Sequence, residues 1–348
     1  MRFALNTSSP SKPFVRRRSD RSQIVRRAFQ AGFLLLNLWI GALFYLFVRY
    51  WETGGVGARV ARPPGVEGWL PIAGLMNLKY FLVTGSVPAI HPAGLFLLLA
   101  FLSISFVFRK SFCSWLCPVG TLSEWLWQGG RALVGRNFGL PRWLDVPLRG
   151  LKYVLLGFFV WVIAGMSADA LREFLGSPYG LVADVKMLDF FRELGIVGAS
   201  VLLALVVLSV LVKNAWCRFL CPYGALLGLV SSLSPVRIRR DPEACIDCAK
   251  CATACPSALP VDRLLSVKSP ECTGCLECVA ACPALGALDL AVAGKRRIPL
   301  KAMAAGIALI FLGFVLIAQL TGHWHTALSD DVYRTLVPKT DSLTHPGF

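Results

Sequence analysis

Long apolar runs separated by polar, mostly basic stretches set the pattern of this chain. Five runs have the length that crosses a hydrocarbon core, roughly 20 residues: 29–48, 91–108, 151–167, 194–212 and 302–320. The third begins beside Lys152 and is the least regular. The pattern predicts an α-helical polytopic membrane protein of about five transmembrane helices. Four segments frame them: a basic N-terminal segment 1–28, a membrane domain 29–235, a polar, cysteine-rich insert 236–298 before the last helix at 299–320, and a tail 321–348.

Composition agrees, with 55% apolar and 16% charged residues against about half and about a quarter in a soluble domain. The formal charge of +16 does not read as a nucleic-acid surface, because it is sorted by loop. Arg2, Lys12, Arg16, Arg17, Arg18, Arg21, Arg26 and Arg27 precede the first run. The stretch from Arg109 to Lys152 and the region from Lys213 to Lys301 hold most of the rest, 27 of the 36 Lys and Arg in all. Arg49, Arg59, Arg62, Lys79, Arg172, Lys186, Arg192, Arg334 and Lys339 fall in the alternate segments. Because cytoplasmic loops concentrate Lys and Arg, the expectation is a bacterial inner-membrane protein with its N-terminus and insert in the cytoplasm and its C-terminus in the periplasm. Arg26 and Arg27 ahead of an apolar run faintly resemble a twin-arginine signal, but no small-residue cleavage site follows, so the first run reads as a retained anchor.

The chain also repeats itself. Residues 112–122, Phe-Cys-Ser-Trp-Leu-Cys-Pro-Val-Gly-Thr-Leu, align with residues 216–226, Trp-Cys-Arg-Phe-Leu-Cys-Pro-Tyr-Gly-Ala-Leu. The repeating unit is span, outer loop, span, cysteine motif, and two such units in one orientation are parallel repeats whose axis along the membrane normal brings the motifs together. After each motif comes an amphipathic run, 122–133 with Trp125 and Trp127, then 225–233, suited to the membrane interface.

All twelve cysteines belong to motifs. Cys245, Cys248, Cys251 and Cys255 before Pro256, then Cys272, Cys275, Cys278 and Cys282 before Pro283, are two copies of C-x2-C-x2-C-x3-C-P, the spacing of bacterial two-cluster ferredoxins. There the fourth cysteine of each run crosses to the other cluster. Cluster one should therefore take Cys245, Cys248, Cys251 and Cys282, and cluster two Cys272, Cys275, Cys278 and Cys255. Zinc needs neither the third cysteine nor the crossing one. So short an insert leaves little room for a core, and the clusters are expected to supply most of its folding energy.

Cys113 and Cys117 before Pro118, and Cys217 and Cys221 before Pro222, form two C-x3-C-P motifs. Two cysteines four apart face one way on a helical turn, which suits a cluster, a zinc ion or a redox dithiol. The expectation is that these four thiols hold a third iron-sulfur centre at the cytoplasmic membrane surface. A thiol pair that exchanges with quinol or a metal, and a structural role, are the alternatives.

Two C-x3-C-P motifs after successive spans, followed by the twin four-cysteine run, resemble the NapH-type membrane ferredoxins and the membrane core of NosR-like proteins over residues 29–320. The resemblance implies a quinol dehydrogenase-type subunit that oxidises quinol and relays electrons to a periplasmic or membrane partner, a reductase, a ferredoxin-like subunit or a c-type cytochrome. The chain departs from NapH-type proteins in its fifth run and its tail, and has no room for the flavin domain of NosR-like proteins. CcoG-type copper-reducing and assembly proteins end in an immunoglobulin-like domain that is also missing. Two other readings stand beside the first: a cytoplasm-fed donor for metal reduction or respiratory-enzyme maturation, and an iron-sulfur sensor or assembly scaffold.

Other residues carry weaker signals. His91 opens the second run on its outer side, where a quinol proton could leave, although a histidine there is more often interfacial. Asp184, Asp189 and Glu193 read as solvated acids of an outer loop. His323 and His325 flank Trp324 in the tail, which reads as a docking segment, with no C-x-x-C-H haem attachment in the chain.

Overall fold

The computed structural model describes residues 15–16, 22–292 and 296–346; Arg2, Lys12, Arg17, Arg18, Arg21 and Lys295 of the charge pattern lie outside them. The described chain is mostly helical: α1 Ser22–Glu52, α2 Pro71–Thr84, α3 Pro92–Phe108, α4 Pro118–Val134, α5 Arg142–Gly165, α6 Ala183–Arg192, α7 Ile196–Leu211, α8 Pro222–Ser232, α9 Leu300–Leu320 and α10 Asp330–Leu336. Two strands, β1 Val236–Arg240 and β2 Leu288–Val292, form an antiparallel pair in the insert.

Among the described residues α1, α5 and α9 are long and apolar enough to cross a membrane, and α6 with α7, bent by 81°, makes a fourth candidate. The second expected span is α3, only 17 residues long. Its sequence is apolar on every side, which is the mark of a helix surrounded by protein, and 12 of its residues are buried. It packs against α2, α8 and α9 as the axis of the fold. The outer helices instead turn Leu38, Trp39, Val154, Trp161, Leu203 and Leu309 outward, as a lipid-facing belt does. Of the two tryptophans after the first cysteine motif, Trp125 is exposed but Trp127 is buried, since α4 packs along α7 and Lys213 sits 5.4 Å over the Trp127 ring.

The insert shares its apolar core with the membrane helices. Val236↔Val292 and Arg240↔Leu288 bound the strand register, which turns Ile238 and Leu290 inward to join Phe108 and Met303 of the membrane helices in one apolar cluster. Burial shared with the helices thus supports the insert besides any metal. The tail is also part of the fold. α10 lays Tyr333 against Phe47 of α1, ring centroids 5.0 Å apart, and the Ala327 amide donates to the Ala89 carbonyl at 3.2 Å.

Candidate iron-sulfur centres

Each C-x3-C-P motif is a helix start. Pro118 and Pro222 take the first helical position, where a missing amide costs nothing, and the preceding cysteine caps the helix. Cys117 Sγ accepts from the Gly120 amide at 3.4 Å and Cys221 Sγ from the Gly224 amide at 3.2 Å. The glycine two residues beyond the proline has a steric reason, since a Cβ on Gly120 would lie 2.1 Å from the Cys113 carbonyl oxygen. Phe112 folds back to stack on Phe101, the tenth residue of α3, at 3.9 Å, and Tyr223 approaches both rings at 6.4 Å or less. Phe112, next to Cys113, and Tyr223, next to Pro222, thus anchor both motifs to the side of α3.

The four thiols, drawn from stretches about a hundred residues apart in the chain, are mutual neighbours. Burial raises the Cys217 thiol well above its ordinary value, and Cys221, Cys117 and Cys113 each add to the rise. Burial likewise pushes Cys113 up to about 11 and Cys117 up to about 12. In their midst lies Lys110, fully buried and surrounded by Cys113, Cys217, Cys221 and Glu271. Four soft donors beside one buried cation fit a negatively charged thiolate-bound centre.

In the insert, Cys255, Cys272, Cys275 and Cys278 line one cavity with Ile238, Val261 and Val267. All four are buried, and burial raises Cys275 to about 12 and Cys278 well above its ordinary value. A cavity in which four thiols gather among mainly apolar side chains, with Ser257 and Thr273 at its wall, fits an iron-sulfur cube. Cys251 and Cys282 feel one another's charge, while Cys245 lies beside Asp247 and Arg240, and Cys248 is exposed. The two runs share a backbone device: Asp247 and Ala249 in the first, Gly274 and Leu276 in the second, take positive φ between 53° and 61°. Three of these are not glycine, and such alternation curls successive amides around an anion. Among the described residues no three His, Cys, Asp or Glu side chains close on a single point as one metal ion requires.

Reasoning from sequence passed over the charges that hold these sites. Arg26, in α1, is fully buried and donates to Glu124 of α4 and to Glu277 of the insert, each at 2.6 Å. Lys152 pairs with Glu271 at 2.5 Å and Tyr153 donates to the same carboxylate at 3.0 Å. Arg218 pairs with the buried Asp145. The available signal was a charge inside or beside an apolar run, which is rare without a partner.

At the opposite end of α3, His91 and Asp184 are not at a solvated edge. Arg62 donates to Asp184 at 2.7 Å and to Glu67 at 2.8 Å, all three buried. His91 Nε2 reaches the Gly180 carbonyl at 2.8 Å, and its Nδ1 lies 3.3 Å from Arg62 and 3.7 Å from the Glu67 carboxylate. Asp189 pairs with Arg192 at 3.3 Å and Glu193 is exposed. His323 stacks on Phe96 with centroids 6.2 Å apart, whereas His325 lines a separate outer cavity with Arg59 and Tyr333.

Comparison with known proteins agrees with this geometry. The 4Fe-4S binding domain family matches residues 90–141 and 194–241, one cysteine motif in each, and the 4Fe-4S dicluster domain family matches 237–283. The chain is 48% identical over 326 residues to YccM of Escherichia coli K12, named for a proposed part in electron transport, covering 92% of this chain and 91% of that protein. It is 29% identical over 153 residues to the ferredoxin-type protein NapH of the same organism, covering 42% of this chain and 48% of NapH. With the regulatory protein NosR of Pseudomonas aeruginosa it shares 32% over 167 residues, 46% of this chain and 22% of NosR. No solved structure matches the chain.

Proposed function

We propose, from the premise that the chain belongs to the family of NapH- and NosR-like membrane ferredoxins, that this electron-transfer iron-sulfur protein takes electrons from quinol in the membrane and passes them through the insert to a separate redox partner. The observation that carries this reading is the gathering of Cys113, Cys117, Cys217 and Cys221, from two separate motifs at the ends of apolar helices, around the buried Lys110. Quinol oxidation releases two electrons and two protons, so a membrane site needs one-electron acceptors close by. Cubane clusters, when bound, accept one electron each.

The chain's own residues prepare three sites for them. Cys113, Cys117, Cys217 and Cys221 hold the membrane centre, with Lys110 balancing its charge. Cys272, Cys275, Cys278 and the crossing Cys255 hold one ferredoxin cluster; Cys245, Cys248, Cys251 and the crossing Cys282 hold the other. Ile238, Val261 and Val267 exclude water from the first of these ferredoxin sites. The helix orientation follows the charge pattern, with the insert on the cytoplasmic side and the His91 end and tail in the periplasm. The partner is a membrane-bound reductase or cytochrome that meets the insert, one of the classes the resemblance to NapH implies.

Redox spectroscopy of membrane vesicles tests the reading. A quinol analogue should reduce the clusters without added soluble reductant. Reduction only by a soluble cytoplasmic donor would replace this reading with that of a cytoplasm-fed donor for metal reduction or enzyme maturation.

A further inference from the structure

The loop from Ser269 to Cys275, which carries two of the four thiols around the ferredoxin cavity, is seated on the segment from Arg109 to Trp115, which carries Cys113. Trp115, with no exposed surface, donates from Nε1 to the Gly274 carbonyl at 3.2 Å. The Ser114 hydroxyl donates to the Thr273 carbonyl at 2.6 Å, and Arg109 donates to the Ser269 carbonyl. Gly274 sits at φ +61°, where a Cβ would lie 3.0 Å from the Phe108 carbonyl and 3.5 Å from Ser111, so the two backbones touch with no side chain between. Glu271, one residue before Cys272, is held by Lys152 and Tyr153 on the same face. From α1, Gln23 donates to the Cys275 carbonyl at 3.0 Å. The other run is placed differently: Cys248 is exposed, and Asp247 and Lys250 beside it are exposed too.

We propose that this seat is the electron contact between the membrane part and the ferredoxin unit, and that it fixes the order of the sites. Electrons pass across the Trp115–Gly274 contact between the thiols of Cys113, Cys117, Cys217 and Cys221 and those of Cys255, Cys272, Cys275 and Cys278. The thiols of Cys245, Cys248, Cys251 and Cys282 come last, with the exposed Cys248 edge presented to the redox partner. At each transfer one site loses one electron and its neighbour gains it; no bond or proton changes hands. The inference rests on the reading that all three sites carry iron-sulfur clusters.

Electron paramagnetic resonance of the dithionite-reduced, full-length protein tests it. Neighbouring reduced clusters broaden one another's signals. Replacing Cys113 and Cys217 by serine should remove about a third of the iron, one cluster of three. It should also sharpen the signal that Cys275→Ser abolishes, leaving the signal that Cys248→Ser abolishes unsharpened by that change. Undiminished iron would sink the three-cluster reading itself. Lost iron with no sharpening, or sharpening of the Cys248-dependent signal, would overturn the order of sites while leaving that reading intact. Gly274→Ala keeps every ligand, while a Cβ 3.0 Å from the Phe108 carbonyl at a left-handed φ shifts the seat by a few tenths of an ångström. It should retain full iron and change the broadening by a small, measurable amount; retained iron with identical broadening would also overturn the inference.

Discussion

Arg26 and Glu277 meet at 2.6 Å in a site where the arginine has no exposed surface, and Glu277 lies between Cys275 and Cys278. The same guanidinium engages both oxygens of Glu124, and Gln30 donates to that carboxylate at 3.0 Å. One cation thus joins the first helix, the helix after the first cysteine motif and the ferredoxin insert. Arg26→Met strands the buried Glu124 and the half-buried Glu277, and breaking a buried pair costs about 3–5 kcal/mol. The variant should melt earlier in detergent and lose iron from the insert. Arg26→Lys should recover only part of this, because an ammonium lacks the planar fork that grips two oxygens.

The crossing ligands give a second prediction. Cys255 precedes Pro256 in the first run, yet its thiol shares a cavity with Cys272, Cys275 and Cys278. Cys255→Ser should therefore abolish the same paramagnetic signal as Cys275→Ser and spare the one that depends on Cys248. Loss of the Cys248-dependent signal instead would show that the fourth cysteine stays with its own run.

Two glycines of α4 should answer opposite ways to alanine. At Gly120 the new Cβ would meet the Cys113 carbonyl at 2.1 Å, so the Cys113 turn must move and the membrane centre should lose its metal. At Gly129 nothing lies within 4 Å, and Gly129→Ala should stabilise the helix by roughly 0.5–1 kcal/mol. Iron content and thermal midpoints of the two variants separate the effects.

Acid should loosen the end of α3 away from the cysteines. Burial opposes the Glu67 charge, but the His91 ring and the Arg62 guanidinium outweigh it and hold Glu67 below its ordinary value of 4.5. A carboxylate with a depressed folded-state value contributes stability that is complete above the unfolded value and fades as pH falls through the folded one. Stability from this group should therefore be flat from neutral pH down to about 4.5 and decline below it. Glu67→Gln should flatten that acid limb in thermal scans, at the expense of leaving Arg62 less well paired at neutral pH.

Much of this fold was legible because apolar length and cysteine spacing are local signals. The positions of α1, α5, α7 and α9 follow from runs of lipid-compatible residues, and the cysteine motifs pointed to the family to which the chain belongs. What could not be read was long-range. Lys152 looked like a flaw in the third apolar run, and it is the partner of Glu271, 119 residues further on. Asp184 looked solvated because its partner, Arg62, lies in a different outer loop. The tail showed no periodicity long enough to announce a helix, yet Tyr333 packs on Phe47 because α1 extends far enough to offer it a surface. Nor does composition tell a helix that faces lipid from one wrapped by protein, which is why α3 gave no hint of being the axis.

The stacking of Phe112 on Phe101 has an electrical consequence. If the centre beside Phe112 lies within the hydrocarbon layer, an electron leaving it for the exposed Cys248 edge crosses part of the voltage drop of the bilayer, which over its full thickness is worth about 2.3 kcal/mol per charge for every 100 mV. With the insert on a negatively polarised cytoplasmic face, as proposed, that movement runs uphill against the voltage. An energised cell would thereby throttle this branch of its own respiration, and dissipating the voltage would release it.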